Sequence, residues 1–203
     1  MKDTIRQEYK DVYKASSKKI AYVEVPEFNF IMIDGIGNSG DPEFKGKSHA
    51  LRIMSQEIRE YFRREKKMAY MISPLECLWD TYDNTPFYGS WKKIIKFTLM
   101  IAQPRLLDEI TFNKIREELM LKRHVPYIMD IYLKTFNEGP CVQLLHKGAL
   151  VDDLDTAKRL MEYITIQGMK LKGMHHTIYL NDPDKVSSSK QKTIVRYAVE
   201  GQD

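Results

Sequence analysis

One carboxylate stands out among the residues that could do chemistry, because it interrupts an apolar stretch of the chain. Glu76 lies within Leu75–Trp79, where its neighbours are all apolar. A carboxylate in such a stretch is exposed, paired or held towards a ligand, since burying an unpaired charge is costly. In a cleft, Glu76 could orient a cation or activate water as a general base. An exposed strand carboxylate is the alternative interpretation.

The alternation of side chains along a strand limits which residues can act together with Glu76. Glu76, Leu78 and Asp80 share one face of the expected strand. Cys77 and Trp79 share the other face. Glu76 and Trp79 can therefore line one pocket only if the strand bends or if the pocket wraps around its edge.

Aromatic residues cluster around a turn that follows this strand. The chain has 12 Tyr, 8 Phe and 2 Trp, and five of these aromatic residues fall between positions 79 and 91. They pack in the core or in a lid, as aromatic residues usually do, or they form a stacking wall for a flat or cationic ligand. The candidate ligand-binding residues of this cluster are Trp79, Tyr82, Tyr88 and Trp91.

The histidines give only weak binding signals. His175 and His176 are adjacent, so on a strand they point to opposite faces and cannot chelate one ion together. At most one of them faces a cavity, and an ordinary hydrogen-bonded histidine is the alternative. His146, at a strand end, has the same ambiguity. We therefore take His146 and His176 as candidate ligand-binding residues and predict no metal site.

A glycine-containing segment before the first helix could suggest a cofactor. Gly35, Gly37 and Gly40 precede that helix at the glycine spacing of the dinucleotide-binding pattern, but no βαβ unit follows. The sequence also lacks a nucleophile elbow and a zincin motif. No cofactor is predicted.

Composition and charge exclude several classes of protein. The net charge of +4 is mild, and the densest basic run, Arg63–Lys67, is interrupted by Glu65 and is typical of a helix end. Nucleic acid is therefore not an expected partner. The N-terminus has no apolar run behind its charges, and no stretch approaches the ~20 apolar residues of a membrane span. We expect a soluble, cytoplasmic protein with reduced, buried Cys77 and Cys141.

Hydrophobic periodicity divides the chain into two similar halves that must position these residues. Residues 1–25 form an N-terminal lead-in, whose polar, lysine-rich first 20 residues predict poor packing. The first half, 26–104, and the second, 139–203, each read β-α-β-β, and a helical connection, 105–138, joins them. The predicted helices cover roughly 43–66, 111 to a stop at Pro126, and 155–170. The predicted strands cover 28–37, 75–80, 91–102, 128–136, 141–146 and 193–199, and the segment 175–183 is a strand that enters a turn.

This element order predicts one compact α+β domain. Such halves usually form antiparallel sheets with helices packed on one face. A ligand groove often lies where two such halves meet. No fixed-period sequence repeat is visible, so the duplication concerns architecture alone.

Five stretches of the chain resemble the GyrI-like small-molecule-binding family, which is related to effector domains of bacterial multidrug-responsive regulators. They follow the family's order over nearly the whole chain after residue 25. These stretches are Pro74–Trp79, Phe97–Pro104, Glu138–Gly148, Ile178–Pro183 and Lys192–Tyr197. The resemblance implies two pseudo-symmetric β-α-β-β (SHS2-type) repeats with an amphipathic ligand in the groove between them. It also implies that some relatives are hydrolases that open cyclopropane rings of alkylating natural products, whereas others only bind.

The resemblance makes Glu76 and Tyr179 the candidate catalytic residues, and Tyr179 also a candidate ligand-binding residue. Two positions depart from the family pattern. Leu150 stands where the family often has tyrosine, and Thr177 stands where a glutamate often precedes Ile-Tyr-Leu. That glutamate is the usual pocket carboxylate of relatives, and Thr177 supplies no charge to bind a cation from this side. No DNA-binding helix-turn-helix precedes the domain, so a stand-alone domain is expected.

Three functions follow from these observations. The leading hypothesis is a protein that binds an amphipathic aromatic or cationic small molecule in order to sequester or sense it. The first alternative is a hydrolase of cyclopropane-bearing alkylators, in which Glu76 activates water and Tyr179 acts as acid or hydrogen-bond donor. The second is a module that modulates a protein partner. The oligomeric state is not predicted.

Overall fold

The computed structural model describes residues 11–81, 95–149 and 154–200. This described part contains nine strands and three α-helices. The helices are α1 (Pro42–Glu65), α2 (Glu109–Lys122) and α3 (Leu154–Ile166), and the strands are β1 (Ala21–Val25), β2 (Phe28–Ile36), β3 (Leu75–Thr81), β4 (Ile95–Gln103), β5 (Tyr132–Phe136), β6 (Gly139–Lys147), β7 (Lys170–Leu171), β8 (His175–Tyr179) and β9 (Lys192–Glu200).

The ends of the helices follow from local chemistry. Pro42 occupies the first turn of α1, where its missing N–H costs nothing. The side chain of Asp108 accepts a 2.7 Å hydrogen bond from the backbone N–H of Thr111 and so caps α2. α3 ends at Ile166, before the position predicted, and Gly168 follows with a positive φ of 66°, a conformation that glycine adopts without strain.

The strands form one antiparallel sheet in the order β1-β6-β9-β8-β3-β4-β2-β5, and the short β7 pairs with β9. At its centre, β3 pairs with β8 and Cys77 lies opposite Thr177. We call this central pair of strands the seam. On one side of it lie β4 and then β2, and on the other side lie β9 and then β6. The predicted α+β fold with a large antiparallel sheet is confirmed, whereas the symmetry relation between the two halves stays a prediction.

The two faces of the sheet are covered differently. α1 and α2 pack on β2, β3 and β4 through a cluster that includes Leu75, Cys77 and Trp79. α3 packs on β6 and β9 through a separate cluster that includes Leu144 and Val195. Because the register places Val195 opposite Thr177, and Thr177 opposite Cys77, all three helices lie on one side. We call this side the helix face.

The N-terminal segment covers the opposite face, against the prediction that it packs poorly. Val12 and Tyr13 are buried there with Phe30, Leu78 and Met100, and β1 pairs with β6. The lysines from which poor packing was predicted flank these two buried residues in sequence. The composition of the segment therefore gave no indication that Val12 and Tyr13 are buried.

One further boundary differs from the sequence-based prediction. The extended segment expected from Ile128 starts with a 3-10 turn, Ile128–Asp130, and β5 begins only at Tyr132. The turn follows Tyr127, whose φ of 65° is left-handed, so the chain reverses before the strand. β8 ends at Tyr179, and the turn expected within 175–183 follows it. No helix among the described residues is long and apolar enough to span a bilayer.

Candidate functional site

Glu76 is buried on the face opposite the helices, with 1% of its surface exposed. Its Oε1 accepts a 2.8 Å hydrogen bond from the hydroxyl of Tyr13. Its Oε2 lies 3.1 Å from Nε2 of His176, an ion-pair contact without the alignment of a good hydrogen bond. The carboxylate is therefore paired inside the protein, and its two partners come from the N-terminal segment and from β8.

A second buried carboxylate extends this cluster. Nδ1 of His176 lies 2.8 Å from Oε1 of Glu138, and Arg196 donates a 3.0 Å hydrogen bond from Nη1 to Oε2 of the same carboxylate. Arg196 also donates to Oε1 of Gln143 at 3.0 Å. The two acidic and two basic groups balance when His176 is protonated, which is the condition under which buried charges are tolerated.

The N-terminal segment closes over the cluster through backbone carbonyls. Nη2 of Arg196 donates to the carbonyl of Val12. Nε2 of Gln143 donates to the carbonyls of Asp11 and Lys14, at 3.1 Å each. Residues 11–14 are thus held by side chains of β6 and β9, and they separate Glu76 from solvent.

The surroundings of these groups shift their pKa values. Burial opposes ionisation of Glu138, but His176 and Arg196 outweigh it and lower the Glu138 pKa to about 2. Burial also opposes charging of His176, yet Glu138 and Glu76 together raise its pKa above 6.5. Burial, followed by the adjacent Glu76 charge, raises the pKa of Tyr13 well above 10. Tyr13 therefore stays a hydrogen-bond donor.

The helix face carries a cavity of about 210 Å³ between α1 and the loop that follows β8. We call this cavity the groove. Aromatic rings, hydroxyls and charged side chains line it together. The lining includes Phe44, Lys45, Ser48, Arg52, Tyr179 and Asp184.

A second cavity, of about 290 Å³, adjoins the groove. Arg52, Leu75 and Tyr179 line both cavities. Nη1 of Arg52 pairs with Oδ2 of Asp182, and this ion pair lies at their boundary. Asp182 in turn accepts a 3.1 Å hydrogen bond from the backbone N–H of Asp184, so the loop after β8 is tied to α1. We call the second cavity the annex.

Trp79 lies on the helix face, but behind the groove. It is fully buried, and Phe44 stacks on it with ring centroids 5.5 Å apart and planes 6° from parallel. Its indole Nε1–H donates to Oγ1 of Thr177 at 2.9 Å. Thr177 thus takes the place of the glutamate that the family resemblance leads one to expect, and its hydroxyl oxygen accepts a hydrogen bond from the neighbouring indole.

The other candidate histidine, His146, and the non-candidate His175 are both occupied by partners within the protein. Nε2 of His146 lies 3.0 Å from the carbonyl of Ala149, and Nδ1 lies 3.0 Å from Oγ1 of Thr156. Because a carbonyl only accepts, Nε2 carries the proton and Nδ1 accepts from the hydroxyl in the neutral ring. His146 therefore ties β6 to α3 and to Ala149, a groove residue. His175 contacts the hydroxyl of Tyr197 at 2.7 Å.

A family model for the GyrI-like small molecule binding domain matches residues 18–198. The chain belongs to this family. No curated protein matches the sequence. The matched range includes the groove, because α1 and the loop after β8 both lie within it.

Solved structures share the whole GyrI-like fold. An uncharacterized conserved protein from Listeria innocua is 27% identical, with a TM-score of 0.88, over 98% of this chain and 100% of that one. A hydrolase from Listeria innocua is 26% identical, with a TM-score of 0.83 and the same coverage. The EcmrR C-terminal domain is 15% identical, with a TM-score of 0.56 over 91% of this chain and 98% of that one, a likeness of fold alone.

The GyrI-like structure separates the two candidate catalytic residues. Leu75 pairs with Tyr179 and Glu76 pairs with Ile178, so Glu76 and Tyr179 point to opposite faces of the sheet. Tyr179 lines the groove with Phe44, whereas His176 joins Glu76 on the opposite face. Trp79 and His146 do not line the groove. Each contacts a residue that does, Phe44 and Ala149 respectively. Outside the described residues lie Tyr82, Tyr88, Trp91 and Leu150.

Several residues of the buried cluster and of the groove escaped sequence reasoning. Arg196 carried the same signal as Glu76, since it is a lone charge in an apolar strand pattern, and opposite charges of this kind are expected to pair. Glu138 and Tyr13 carried no such signal, because their burial depends on contacts with distant strands. Phe44 and Arg52 carried none either. Among the described residues, no three His, Cys, Asp or Glu side chains are placed to hold a metal ion.

Proposed function

We propose that this GyrI-like domain binds an amphipathic, aromatic small molecule in the groove on its helix face. The observation that carries the proposal is that Phe44 and Tyr179 line one cavity at the junction of the two halves. Two aromatic rings supply apolar area, and the adjacent Ser48 and Lys45 supply polar contacts, a combination typical of ligand pockets. Membership of a small-molecule-binding family supports the same site.

The charges of the groove favour a neutral or acidic ligand over a cation. Its described lining contains Lys45, Arg52 and Asp184; Arg52 is paired with Asp182, and Asp184 is exposed. Glu76 lies on the opposite face, and Thr177 occupies the position where relatives often have a carboxylate. A cation would therefore find no buried carboxylate in the described lining to compensate its loss of water, which costs binding energy.

The proposal is tested with a fluorescent amphipathic dye, N-phenyl-1-naphthylamine, which has no charge at neutral pH. Lys45 is exposed at the mouth of the groove, so Lys45→Trp places a bulky ring there with little cost to the core. We expect the Kd of the dye to rise roughly tenfold or more, the effect of losing about 1.4 kcal/mol.

His49 offers the matched control, because it is exposed on α1 one turn further along and does not line the groove. His49→Trp should leave the Kd within about twofold, an effect below about 0.5 kcal/mol. Equal effects of the two substitutions, or no binding of the dye to the unaltered protein, would refute the proposal.

A second candidate function is hydrolysis, which is favoured by the full-length likeness to a hydrolase from Listeria innocua. Tyr179 is the groove residue that could donate a proton to a leaving group. Turnover of a cyclopropane-bearing alkylator, followed by mass spectrometry for addition of water, tests this function. If Tyr179→Phe and the unaltered protein give no product while the dye binds, the domain acts as a binder alone.

A further inference from the structure

We propose that the annex is a subsite for an acidic group of the ligand, with Arg52 and Ser73 as its recognition residues. This inference rests on the proposed function, because the annex shares the lining residues Arg52, Leu75 and Tyr179 with the groove. It adds a chemical class for the ligand: an aromatic molecule that carries a carboxylate or a similar oxyanion at one end.

The sizes of the two cavities indicate that a ligand uses both. The groove measures about 210 Å³ and the annex about 290 Å³. Ligand pockets usually measure about 300–1,000 Å³, so the groove alone falls below that range and the annex lies at its lower limit. Arg52, Leu75 and Tyr179 line both, which makes them the side chains past which a ligand would extend.

Ser73 supplies an unused hydrogen-bonding group in the annex. It lines the cavity and is 4% exposed. Its hydroxyl has no hydrogen-bond partner within the described residues. A buried polar group without a partner is costly, by about 1–3 kcal/mol. A ligand oxygen that accepts a hydrogen bond from this hydroxyl would remove that cost. Only a ligand that enters the annex could place an oxygen there.

Arg52 supplies the positive charge. Its pairing with Asp182 uses Nη1, and no other hydrogen bond of Arg52 is formed within the described residues. A guanidinium has five N–H donors in a planar fork, so Nη2 and Nε remain available to an oxyanion while Asp182 stays in place. Lys185 also lines the annex. With Arg52 and Lys185 against Asp182, the annex has one excess positive charge.

Two dyes of the same ring skeleton test the subsite. 8-Anilinonaphthalene-1-sulfonate carries an oxyanion, and N-phenyl-1-naphthylamine lacks it. For Arg52→Gln, we expect the ratio of the sulfonate dye's Kd to the neutral dye's Kd to rise about tenfold, as expected for loss of a charge-assisted contact. Ser73→Ala should raise the ratio about threefold through loss of a neutral hydrogen bond. The Tm of each variant reports whether it is folded.

Two further variants separate recognition from structural support. Asp182→Asn breaks the ion pair but leaves the donors of Arg52, so the sulfonate dye should bind as tightly as before or more tightly. Arg59 lies on α1 outside both cavities, and Arg59→Gln should leave the ratio unchanged.

Failure of the subsite can be distinguished from failure of the groove. If both dyes bind and Lys45→Trp blocks them, but Arg52→Gln and Ser73→Ala leave the ratio unchanged, the subsite is refuted and the groove stands. A loss of sulfonate binding in Asp182→Asn equal to that in Arg52→Gln would also refute the subsite. If neither dye responds to Lys45→Trp, the groove fails and the subsite fails with it.

Discussion

The hydroxyl of Tyr13 lies 2.8 Å from Oε1 of Glu76 and donates a hydrogen bond to it. This contact joins the N-terminal segment to the central strand β3. Together with His176, it gives both oxygens of Glu76 a partner inside the protein. The carboxylate that stands out in the sequence therefore stabilises the cover of one sheet face, whereas the proposed ligand groove lies on the other.

Removing the hydroxyl of Tyr13 should destabilise the fold. In Tyr13→Phe, Oε1 of Glu76 stays buried and loses its donor, which costs about 1–3 kcal/mol. The free energy of unfolding in urea measures the loss. Tyr22 is 54% exposed, so Tyr22→Phe is a matched control that should change it by less than about 0.5 kcal/mol. Equal losses in the two variants would show that the buried hydrogen bond contributes nothing.

Glu138 should make the protein sensitive to acid. Its pKa falls from 4.5 to about 2 on folding, so its contribution is present above pH 4.5 and is lost as the pH falls towards 2. Glu138→Gln should remove about 3 kcal/mol of stability at pH 7 and flatten this part of the profile. Glu117 is exposed on α2, so Glu117→Gln is the control. This variant should lose as much stability in acid as the unaltered protein does. An unchanged acid profile in Glu138→Gln would contradict this assignment.

His176 should give the stability profile a slope of opposite sign. Its folded-state pKa lies above 6.5, so its contribution is complete below pH 6.5 and is lost as the pH rises through the folded value. The groups facing it are Glu76, Glu138, Tyr13 and Arg196. We expect the free energy of unfolding to decline on the alkaline side, and His176→Gln to abolish that decline. A decline of the same size in the variant would assign it to another group.

Thr177 should be needed for the packing of Trp79. Thr177→Val preserves the shape of the side chain but removes the oxygen that accepts from the indole, at a cost of about 1–3 kcal/mol. Urea unfolding measures the cost. Thr135 is exposed on β5, and Thr135→Val serves as the control with an expected change below about 0.5 kcal/mol. If the two variants unfold alike, the hydrogen bond to Trp79 is energetically neutral.

Gly35 should tolerate no side chain, because the ring of Phe97 lies against it. A Cβ at this position would stand 2.2 Å from Cζ of Phe97, and Phe97 packs edge-on against both Phe44 and Trp79. Gly35→Ala should therefore cost about 1–3 kcal/mol through overpacking. A Cβ at Gly40 meets nothing within 4 Å, so Gly40→Ala should be nearly neutral. If Gly35→Ala leaves the free energy of unfolding unchanged, the ring of Phe97 moves aside at no cost to its packing on Phe44 and Trp79.

Local patterns in the sequence were sufficient to predict most of the fold. The apolar spacing around Ile53 and Ile58 predicted α1 to within a residue at each end, and Pro74 correctly placed the start of β3 at Leu75. These signals depend on neighbours in sequence, and a single chain contains them in full.

The candidate site was less predictable, because its contacts join distant parts of the chain. Strand alternation correctly separated Glu76 from Trp79, yet the identity of Glu76's partners depends on how β8 and the N-terminal segment meet it. Tyr13 is 63 residues from Glu76 in sequence, and no spacing rule links the two. The groove likewise joins α1 to a loop 130 residues further on, as the pair Arg52 and Asp182 shows.

The seam between β3 and β8 has a consequence for protein engineering. If the chain is cut after Phe136, each fragment keeps its own half of the sheet and exposes one unpaired central edge. The two edges are complementary in register, with Cys77 opposite Thr177, and an exposed edge readily accepts a matching strand. The remaining strand β1 would pair again with β6 of the other fragment. Co-expressed fragments should therefore reassemble, so this fold is suited to use as a split reporter.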